Sequence, residues 1–207
     1  MAQTITNPRG FEEPPFAKFI FSDPKMSVFW LLVRIYVGWQ WLTAGWGKLT
    51  GEEPGWFGAQ AGTGISGFVA NAVKNSTGPK ATVQPVYAWF LQNAVAPYAA
   101  GWSYAITVGE ILVGIGLILG LFTGIAAFFG GLMNVDYLFA GSLGTGAVNA
   151  PLFVLATGLV LAWRVAGYIG LDRFALPMVG VPGHAGKLFK KHEVRIAHPR
   201  LAPTPAH

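Results

Sequence analysis

A run of about twenty apolar residues with one carboxylate in its middle constrains this chain more than any other feature. The run covers residues 101–120 and the carboxylate is Glu110. Twenty residues of α-helix span roughly 30 Å, the thickness of the hydrocarbon core of a bilayer. A carboxylate at that depth costs about 2.5–3.5 kcal/mol even on the mildest insertion scale. Glu110 is therefore expected to face protein, an opposite charge or water rather than lipid.

The composition is typical of an integral membrane protein. Hydrophobic residues make up 53% of the 207 residues and charged residues 11%, whereas a soluble domain carries about 25% charged residues. The chain has no Cys, and all four His lie beyond residue 183. No apolar segment can then offer a Cys or His ligand, so we expect no haem, Fe–S cluster or metal in this chain. The polar, Pro-rich first 25 residues do not resemble a removable signal peptide.

Cap and turn residues divide the chain into four apolar segments that could each span a membrane. Asp23-Pro24 is typical of a helix start and Gly51 of a helix end. The expected spans are about 24–49, 99–120, 124–141 and 150–170. The sequence thus predicts an all-α fold, an integral membrane four-helix bundle over residues 23–171.

The connection between the first two spans, residues 50–98, is predicted to be a cap of short amphipathic helices. Apolar residues recur in it at helical spacing as Ile65, Phe68, Val69 and Ala72, and again as Val86, Trp89, Phe90 and Val95. The N-terminal arm (1–22), the start of the first span and the basic tail (172–207) hold nine Lys and Arg, and the connection holds two. The positive-inside rule then places both termini in the cytoplasm and the cap outside the cytoplasmic (inner) membrane.

The first two spans each gather polar and small residues on one face, which is expected to turn towards the other helices. On the first span this face consists of Arg34, Gly38, Trp41, Gly45 and Lys48, and on the second of Ser103, Thr107, Glu110 and Gly114. Counting 1.5 Å per residue from the cytoplasmic side places Arg34 at roughly 8–15 Å and Glu110 at roughly 15 Å. We therefore expect Arg34 to pair with Glu110, and Lys48 to lie at the outer face.

Further polar residues lie at middle depth. Gln40 and Asn134 fall near roughly 18–20 Å and are expected to share a hydrogen bond. Asp136 lies slightly higher and about 200° around the helix from Asn134, so the two cannot point the same way. Two readings stay open. These polar pairs either fix helix register, or they act chemically, with Glu110 passing protons to a buried acceptor.

Several stretches resemble the DoxX/DoxD family of membrane proteins. They are residues 34–49 (RIYVGWQWLTAGWGKL), 109–114 (GEILVG), 120–124 (GLFTG), Met133-Asn134 and Asn149-Ala150-Pro151. The resemblance covers about residues 28–173 and implies a four-helix membrane bundle. One branch of the family is similar to the DoxD subunit of thiosulfate:quinone oxidoreductase, which oxidises thiosulfate to tetrathionate and reduces quinone, with DoxA as the partner subunit.

If that activity carries over, the buried charges and the resemblance together imply candidate sites. Glu110 would supply protons to quinone, Arg34 would hold Glu110 ionised or polarise a quinone oxygen, and Lys48 would attract the thiosulfate dianion. The wider set of candidates for binding quinone or substrate is Trp41, Lys48, Gln40, Asn134 and Asp136.

A second hypothesis makes the chain a non-catalytic accessory subunit of a larger respiratory or photosynthetic membrane complex. Its basic tail would then bind partner subunits or lipid through Lys187, Lys190, Lys191 and Arg195. On either hypothesis the expected partners are membrane lipids and other membrane subunits, with no nucleic acid. A transporter is a third reading, for which four short-looped helices leave little room.

Overall fold

The computed structural model describes residues 14–141 and 149–180, without the side chain of Asn149. All regular structure in these residues is helical. The α-helices are α1 (Pro15–Ser22), α2 (Ser27–Thr50), α3 (Thr63–Lys74), α4 (Pro85–Phe90), α5 (Ala99–Leu119), α6 (Thr123–Phe139), α7 (Asn149–Leu161), α8 (Trp163–Ala166) and α9 (Asp172–Met178). A π-helical turn (Leu91–Val95) and a 3-10 turn (Ala96–Tyr98) join α4 to α5.

The joined stretch Pro85–Leu119 is the one described helix that is long and apolar enough to cross a membrane. It has 35 residues and contains an 18-residue window with a mean hydropathy of 1.7, whereas α7 contains a shorter apolar stretch, Ala150–Leu161. Helix α2 is 24 residues long, but glycines and the polar side chains of Arg34, Gln40 and Lys48 dilute its apolar character.

Helices α2 and α5 pack antiparallel at close range because glycines line their contact. A methyl group at Gly114 of α5 would stand 2.6 Å from the backbone nitrogen of Leu42. One at Gly45 of α2 would stand 2.9 Å from the backbone nitrogen of Ile111. The face predicted from Arg34, Gly38, Trp41, Gly45 and Lys48 is buried in full, which confirms that it turns towards the protein.

The two helices are staggered along their common direction. Gly45 lies against residues 110–111 and Gly38 against residues 114–118. The first two turns of α5 therefore extend beyond the C-terminal end of α2. Those turns pack on the segment before α3, where the backbone N–H of Gly62 donates to the hydroxyl of Ser103 at 3.0 Å. The stagger brings Lys48, near the end of α2, beside the middle of α5.

The start of α2 follows the sequence prediction. The carboxylate of Asp23 accepts the backbone N–H of Lys25 at 2.9 Å, and a 3-10 turn (Pro24–Met26) leads into the helix. At the other end the chain leaves α2 through Gly51 at φ +87°, a left-handed conformation that suits glycine.

The connection between α2 and α5 agrees with the prediction in one half only. In α3 the inward residues are Ile65, Val69 and Ala72, as the spacing predicts. In the second half Val95 is buried, whereas Val86, Trp89 and Phe90 are exposed and Ala88 and Leu91 are buried; the amphipathic face of this half stays a prediction.

The last predicted span, 150–170, is interrupted. Helix α7 ends at Leu161, Ala162 forms a turn, and α8 is a single turn of four residues. Helix α7 lies antiparallel to α6, since a methyl group at Gly131 would contact Ala156 and one at Gly124 would contact Trp163. The chain divides into a unit up to Arg173 and a second unit from Phe174; in the second, the described residues 174–178 complete α9.

Candidate functional site

Glu110 occupies the middle of α5 and is 1% exposed. The ammonium of Lys48 donates to both of its carboxylate oxygens, at 2.8 and 3.1 Å. The hydroxyl of Tyr137 from α6 donates to Oε1 at 2.8 Å. Glu110 is thus compensated by a two-pronged ion pair and a hydrogen bond, which is what a carboxylate needs when it leaves water.

The backbone of α2 lets this ion pair form. A methyl group at Gly45 would stand 3.0 Å from Cβ of Glu110, so the glycine permits the two helices to approach closely at this level. Lys48 follows three residues later on the same face of α2 and reaches the carboxylate from there.

Lys48 is 6% exposed and enclosed by further groups. Its Nζ lies 3.6 Å from a carboxylate oxygen of Glu53, whose side chain is half exposed. The same atom stands 4.9 Å from the centre of the Trp56 ring, a cation–π contact. One cation between two carboxylates leaves a local net charge of −1, so Lys48 is not a free cation at an outer edge, contrary to the expectation from its position in the sequence.

Tyr137 is held in place by its ring. The ring stacks on Trp41 with centroids 6.5 Å apart and meets Phe68 edge-on at 6.0 Å. These contacts aim its hydroxyl at Glu110 while one side of the residue stays at the protein surface.

That surface is an apolar groove of about 730 Å³ between α5 and α6, closed at one end by α3, α4 and the π-helical turn. Its lining is formed mainly by aliphatic and aromatic side chains, with Tyr137, Tyr87 and Asp136 as polar groups. Exposed lining residues such as Leu112, Ile125 and Phe129 show that it opens sideways out of the helices. Tyr137, whose hydroxyl donates to a buried carboxylate, therefore contributes to the wall of an apolar groove.

The model of the DoxX family matches residues 29–142, more than half of the chain. The chain belongs to the DoxX family. No curated protein and no solved structure is significantly similar to it. DoxX proteins are membrane-associated, and the stretch Pro85–Leu119 of this DoxX protein is long and apolar enough to cross a membrane.

The predicted pairing of Glu110 with Arg34 is wrong in this DoxX protein. Arg34 is buried, but its guanidinium donates to the backbone carbonyls of Ala166 at 2.9 Å and Ile169 at 2.8 Å. These carbonyls belong to the end of α8 and the turn behind it. Arg34 thus caps the C-terminal end of α8. It lies 14 residues from Lys48, which is roughly 21 Å along α2. A chemical role for Arg34 stays a prediction.

Asp172 compensates the charge at that end, and sequence reasoning missed it. Its carboxylate accepts the backbone N–H groups of Phe122 at 2.6 Å and Thr123 at 2.9 Å, and so caps α6. It is also close enough to act electrostatically on Arg34. Thr123 contributes only its N–H, because its own hydroxyl has no hydrogen-bond partner among the described residues. The cap was hidden because it comes from a residue 50 positions further along the chain.

The predicted hydrogen bond between Asn134 and Gln40 is not formed. Asn134 is completely buried in α6, and neither its amide nitrogen nor its amide oxygen has a hydrogen-bond partner among the described residues. Trp41 is also buried, and its indole N–H likewise has no hydrogen-bond partner among the described residues. Gln40, on α2, is half-buried.

Asp136 faces away from Asn134, as predicted from the helical repeat. It is exposed at the groove, where the hydroxyl of Tyr87 donates to its backbone carbonyl at 3.1 Å and to Oδ1 at 3.4 Å. The remaining candidates lie outside the described residues. These are the tail residues Lys187, Lys190, Lys191 and Arg195.

Sequence reasoning missed Tyr137, which carries the only hydroxyl bonded to Glu110 among the described side chains. One signal for it was present, because Tyr137 follows Asn134 by three positions and so lies on nearly the same face of α6. Counting depths from the cytoplasmic side instead favoured residues nearer that side as partners of Glu110.

Proposed function

We propose that this protein is a DoxD-like quinone-binding subunit of a membrane oxidoreductase, in which the groove takes the quinone and the Tyr137–Glu110–Lys48 triad handles its protons. One observation carries the proposal, namely that Tyr137, which lines an apolar groove, donates its hydroxyl to a buried carboxylate. A quinone suits such a groove because it joins a long apolar tail to a head that accepts protons when it is reduced.

Reduction of a bound quinone needs both electrons and protons, and the chain is proposed to supply the protons. Reduction of a quinone to a quinol takes two electrons and two protons. Tyr137 would give its proton to the reduced quinone oxygen and take another from the ammonium of Lys48 through Glu110. Lys48 would be reprotonated from the side of the half-exposed Glu53, and two such cycles would deliver the two protons. Hydrophobic groove walls exclude bulk water, so protons reach the quinone through these groups rather than from solvent.

The reductant in this proposal is thiosulfate or another small sulfur anion, oxidised on a partner subunit. Two thiosulfate ions joining as tetrathionate release the two electrons that the quinone takes up. Lys48 lies between two carboxylates with a net charge of −1, a setting that repels a dianion. The anion is therefore assigned to a partner, as the resemblance to the DoxD subunit implies.

The proposal includes a topology. Helices α2, α5, α6 and α7 with α8 would form a four-helix bundle across the cytoplasmic membrane, with both termini in the cytoplasm. Residues 50–98 would then cap the outer end of the bundle. Two features support it, the nine Lys and Arg near the chain ends and the apolar residues exposed along these helices.

Binding can be tested with decylubiquinone on the purified protein in detergent. Trp102 lines the groove and is exposed, so bound quinone should quench its fluorescence, measured as the difference between wild type and Trp102→Phe. Gly109→Leu should weaken binding tenfold or more, because Gly109 lines the groove and its Cβ position is free of backbone contacts. Gly101→Leu on the same helix lies outside the groove and should bind as wild type does. Equal binding by both variants would contradict the groove assignment.

Activity can be tested in membranes as thiosulfate-dependent reduction of decylubiquinone. Tyr137→Phe and Glu110→Gln should each lower the rate at least tenfold while the protein stays folded, because each removes a step in proton delivery. Tyr104→Phe, which removes an exposed hydroxyl bonded to the carbonyl of Gly58, is the matched control. Full activity of Glu110→Gln would rule out its role in proton transfer.

The accessory-subunit hypothesis gives a different result in the same preparation. Extraction in mild detergent would then yield a large redox complex whose activity survives both Gly109→Leu and Tyr137→Phe. A small assembly that loses quinone reduction in these variants supports the proposal instead.

A further inference from the structure

The turn that follows α2 folds back over the end of that helix. The backbone N–H of Glu53 donates to the carbonyl of Gly47 at 3.0 Å. A methyl group at Gly47 would stand 3.8 Å from a carboxylate oxygen of Glu52 and equally far from one of Glu53. Both acidic side chains thus lie over the last turn of α2. Of the two, only Glu53 comes within ion-pair distance of Lys48 in the described part of the chain, at 3.6 Å.

Trp56, just after this turn, covers Lys48 as well. The centre of its ring lies 4.9 Å from Nζ of Lys48. A methyl group at Gly64 would stand 2.9 Å from the same indole, so the first turn of α3 holds the ring in place. Lys48 is buried under this cover, whereas the side chain of Glu53 is 53% exposed. Water therefore meets this group of charges mainly at Glu53.

A continuous series of contacts leads inwards from Glu53. The ammonium of Lys48, 3.6 Å from Glu53, donates to Oε2 of Glu110 at 2.8 Å. Oε1 of Glu110 accepts the hydroxyl of Tyr137 at 2.8 Å. These are the titratable groups that face Glu53 from α2, α5 and α6, and Glu53 acts electrostatically on both Glu110 and Tyr137. Three contacts thus join water to a residue in the wall of the groove.

The groove side offers no equivalent connection among the described residues. Asp136 is exposed there, but its Oδ1 accepts the hydroxyl of Tyr87 at 3.4 Å. In the same described ranges no hydrogen bond joins Asp136 to Tyr137 or Glu110. The rest of the groove lining is mainly aliphatic and aromatic, and such a wall excludes the water that would carry protons.

We propose that Glu53 is the proton-entry residue, and that quinone reduction takes its protons from the aqueous phase on the side of residues 50–98, the outer side in the proposed topology. This inference rests on the proposed function. Glu53 passes a proton to Lys48 once the ammonium has given one to Glu110, and then takes another from water. Two thiosulfate ions, one quinone and two protons give one tetrathionate and one quinol. Two protons therefore leave the outer phase for each quinol formed.

Pyranine, an impermeant pH-sensitive dye, tests the side of proton uptake. Sealed right-side-out membrane vesicles in weak buffer receive thiosulfate and decylubiquinone, with the dye either in the medium or in the lumen. The external dye should report the initial uptake of two protons per quinol, and the dye in the lumen should not respond. Initial uptake from the lumen would overturn the inference. Absence of quinol formation would contradict the proposed function itself, and this inference with it.

Glu53→Gln tests the residue, and Glu52→Gln is the matched control because Glu52 lies in the same turn. Glu53→Gln should lower thiosulfate-dependent quinone reduction roughly threefold or more and raise the solvent deuterium isotope effect, because proton uptake becomes the slow step. Glu53→Asp should recover part of the rate, and Glu52→Gln should behave as wild type. Equal rates and isotope effects in Glu53→Gln and Glu52→Gln, with Tyr137→Phe inactive in the same assay, would refute the entry role and leave the proposed function standing.

Discussion

Glu110 keeps a charge in an apolar helix because its partners come from two other helices. Lys48 on α2 and Tyr137 on α6 together satisfy three of its hydrogen-bonding positions. In a buried pair of this kind, removing one partner costs more than the pair contributes as a whole, since the remaining charge stays buried and unpaired. The ion pair therefore joins α2, α5 and α6 at one level.

A double-mutant cycle measures this coupling. Lys48→Met should lower the free energy of unfolding by about 3–5 kcal/mol, because it leaves the carboxylate without its cation. The double variant Lys48→Met/Glu110→Gln should lose less than the sum of the two single losses. Stabilities are compared by SDS titration of the protein in detergent micelles.

The control for that cycle is Glu53→Gln, which removes a second carboxylate from the same ammonium. Its side chain is 53% exposed, so the loss should stay below about 1 kcal/mol. Additive losses of Lys48→Met and Glu110→Gln would contradict the direct coupling of the two residues.

At the scale of elements, glycines decide how α2 and α5 fit. Gly38, Gly45 and Gly114 let the helices approach until backbone meets backbone, the arrangement that favours helix association in membranes. Such contacts tolerate no added side chain, and they also fix the stagger that brings Lys48 to Glu110.

Gly114→Ala should therefore lower the free energy of unfolding by about 1–3 kcal/mol, because its methyl group meets the backbone of Leu42. Gly101→Ala on the same helix has no atom within 4 Å of the new methyl group. This control should be neutral or stabilising by up to about 1 kcal/mol. Thermal unfolding followed by circular dichroism checks both, and equal stabilities would contradict the close packing.

The stagger of α2 and α5 also explains why the sequence predicted the helix ends but not the partner of Glu110. Local signals such as Asp23-Pro24 and Gly51 predicted where helices begin and end, because caps and breakers act within a few residues. The partner of Glu110 could not be predicted in this way, because counting depths from the helix ends assumes that the ends of α2 and α5 lie at the same level. They do not: Glu110 lies opposite Gly45, about three turns further along α2 than Arg34, so Lys48 pairs with it instead.

At the scale of the whole molecule, charges inside the first unit are compensated locally at two levels. Lys48 and Glu110 form one pair. About 21 Å away along α2, Arg34 and Asp172 close the ends of α8 and α6. Arg34 and Asp172 balance each other at one level, and Lys48 balances Glu110 at the other, where the half-exposed Glu53 adds one negative charge.

The proposed topology can be tested with single cysteines, since the natural chain has none. Thr77→Cys, in the connection between α3 and α4, should react with a membrane-impermeant maleimide in intact spheroplasts. Phe16→Cys, in α1, should react only after lysis, because the positive-inside rule places that end in the cytoplasm. The opposite pattern would invert the orientation, and the Cys-free wild type gives the background.

The contacts of Arg34 have a consequence for biosynthesis. Its first acceptor, the carbonyl of Ala166, lies 132 residues later in the chain. At about 5–20 residues per second, the ribosome needs roughly 7–26 s to make that residue after Arg34. Until then neither carbonyl that accepts from Arg34 exists, so this end of α2 reaches its native contacts only after α8 and the turn behind it are translated.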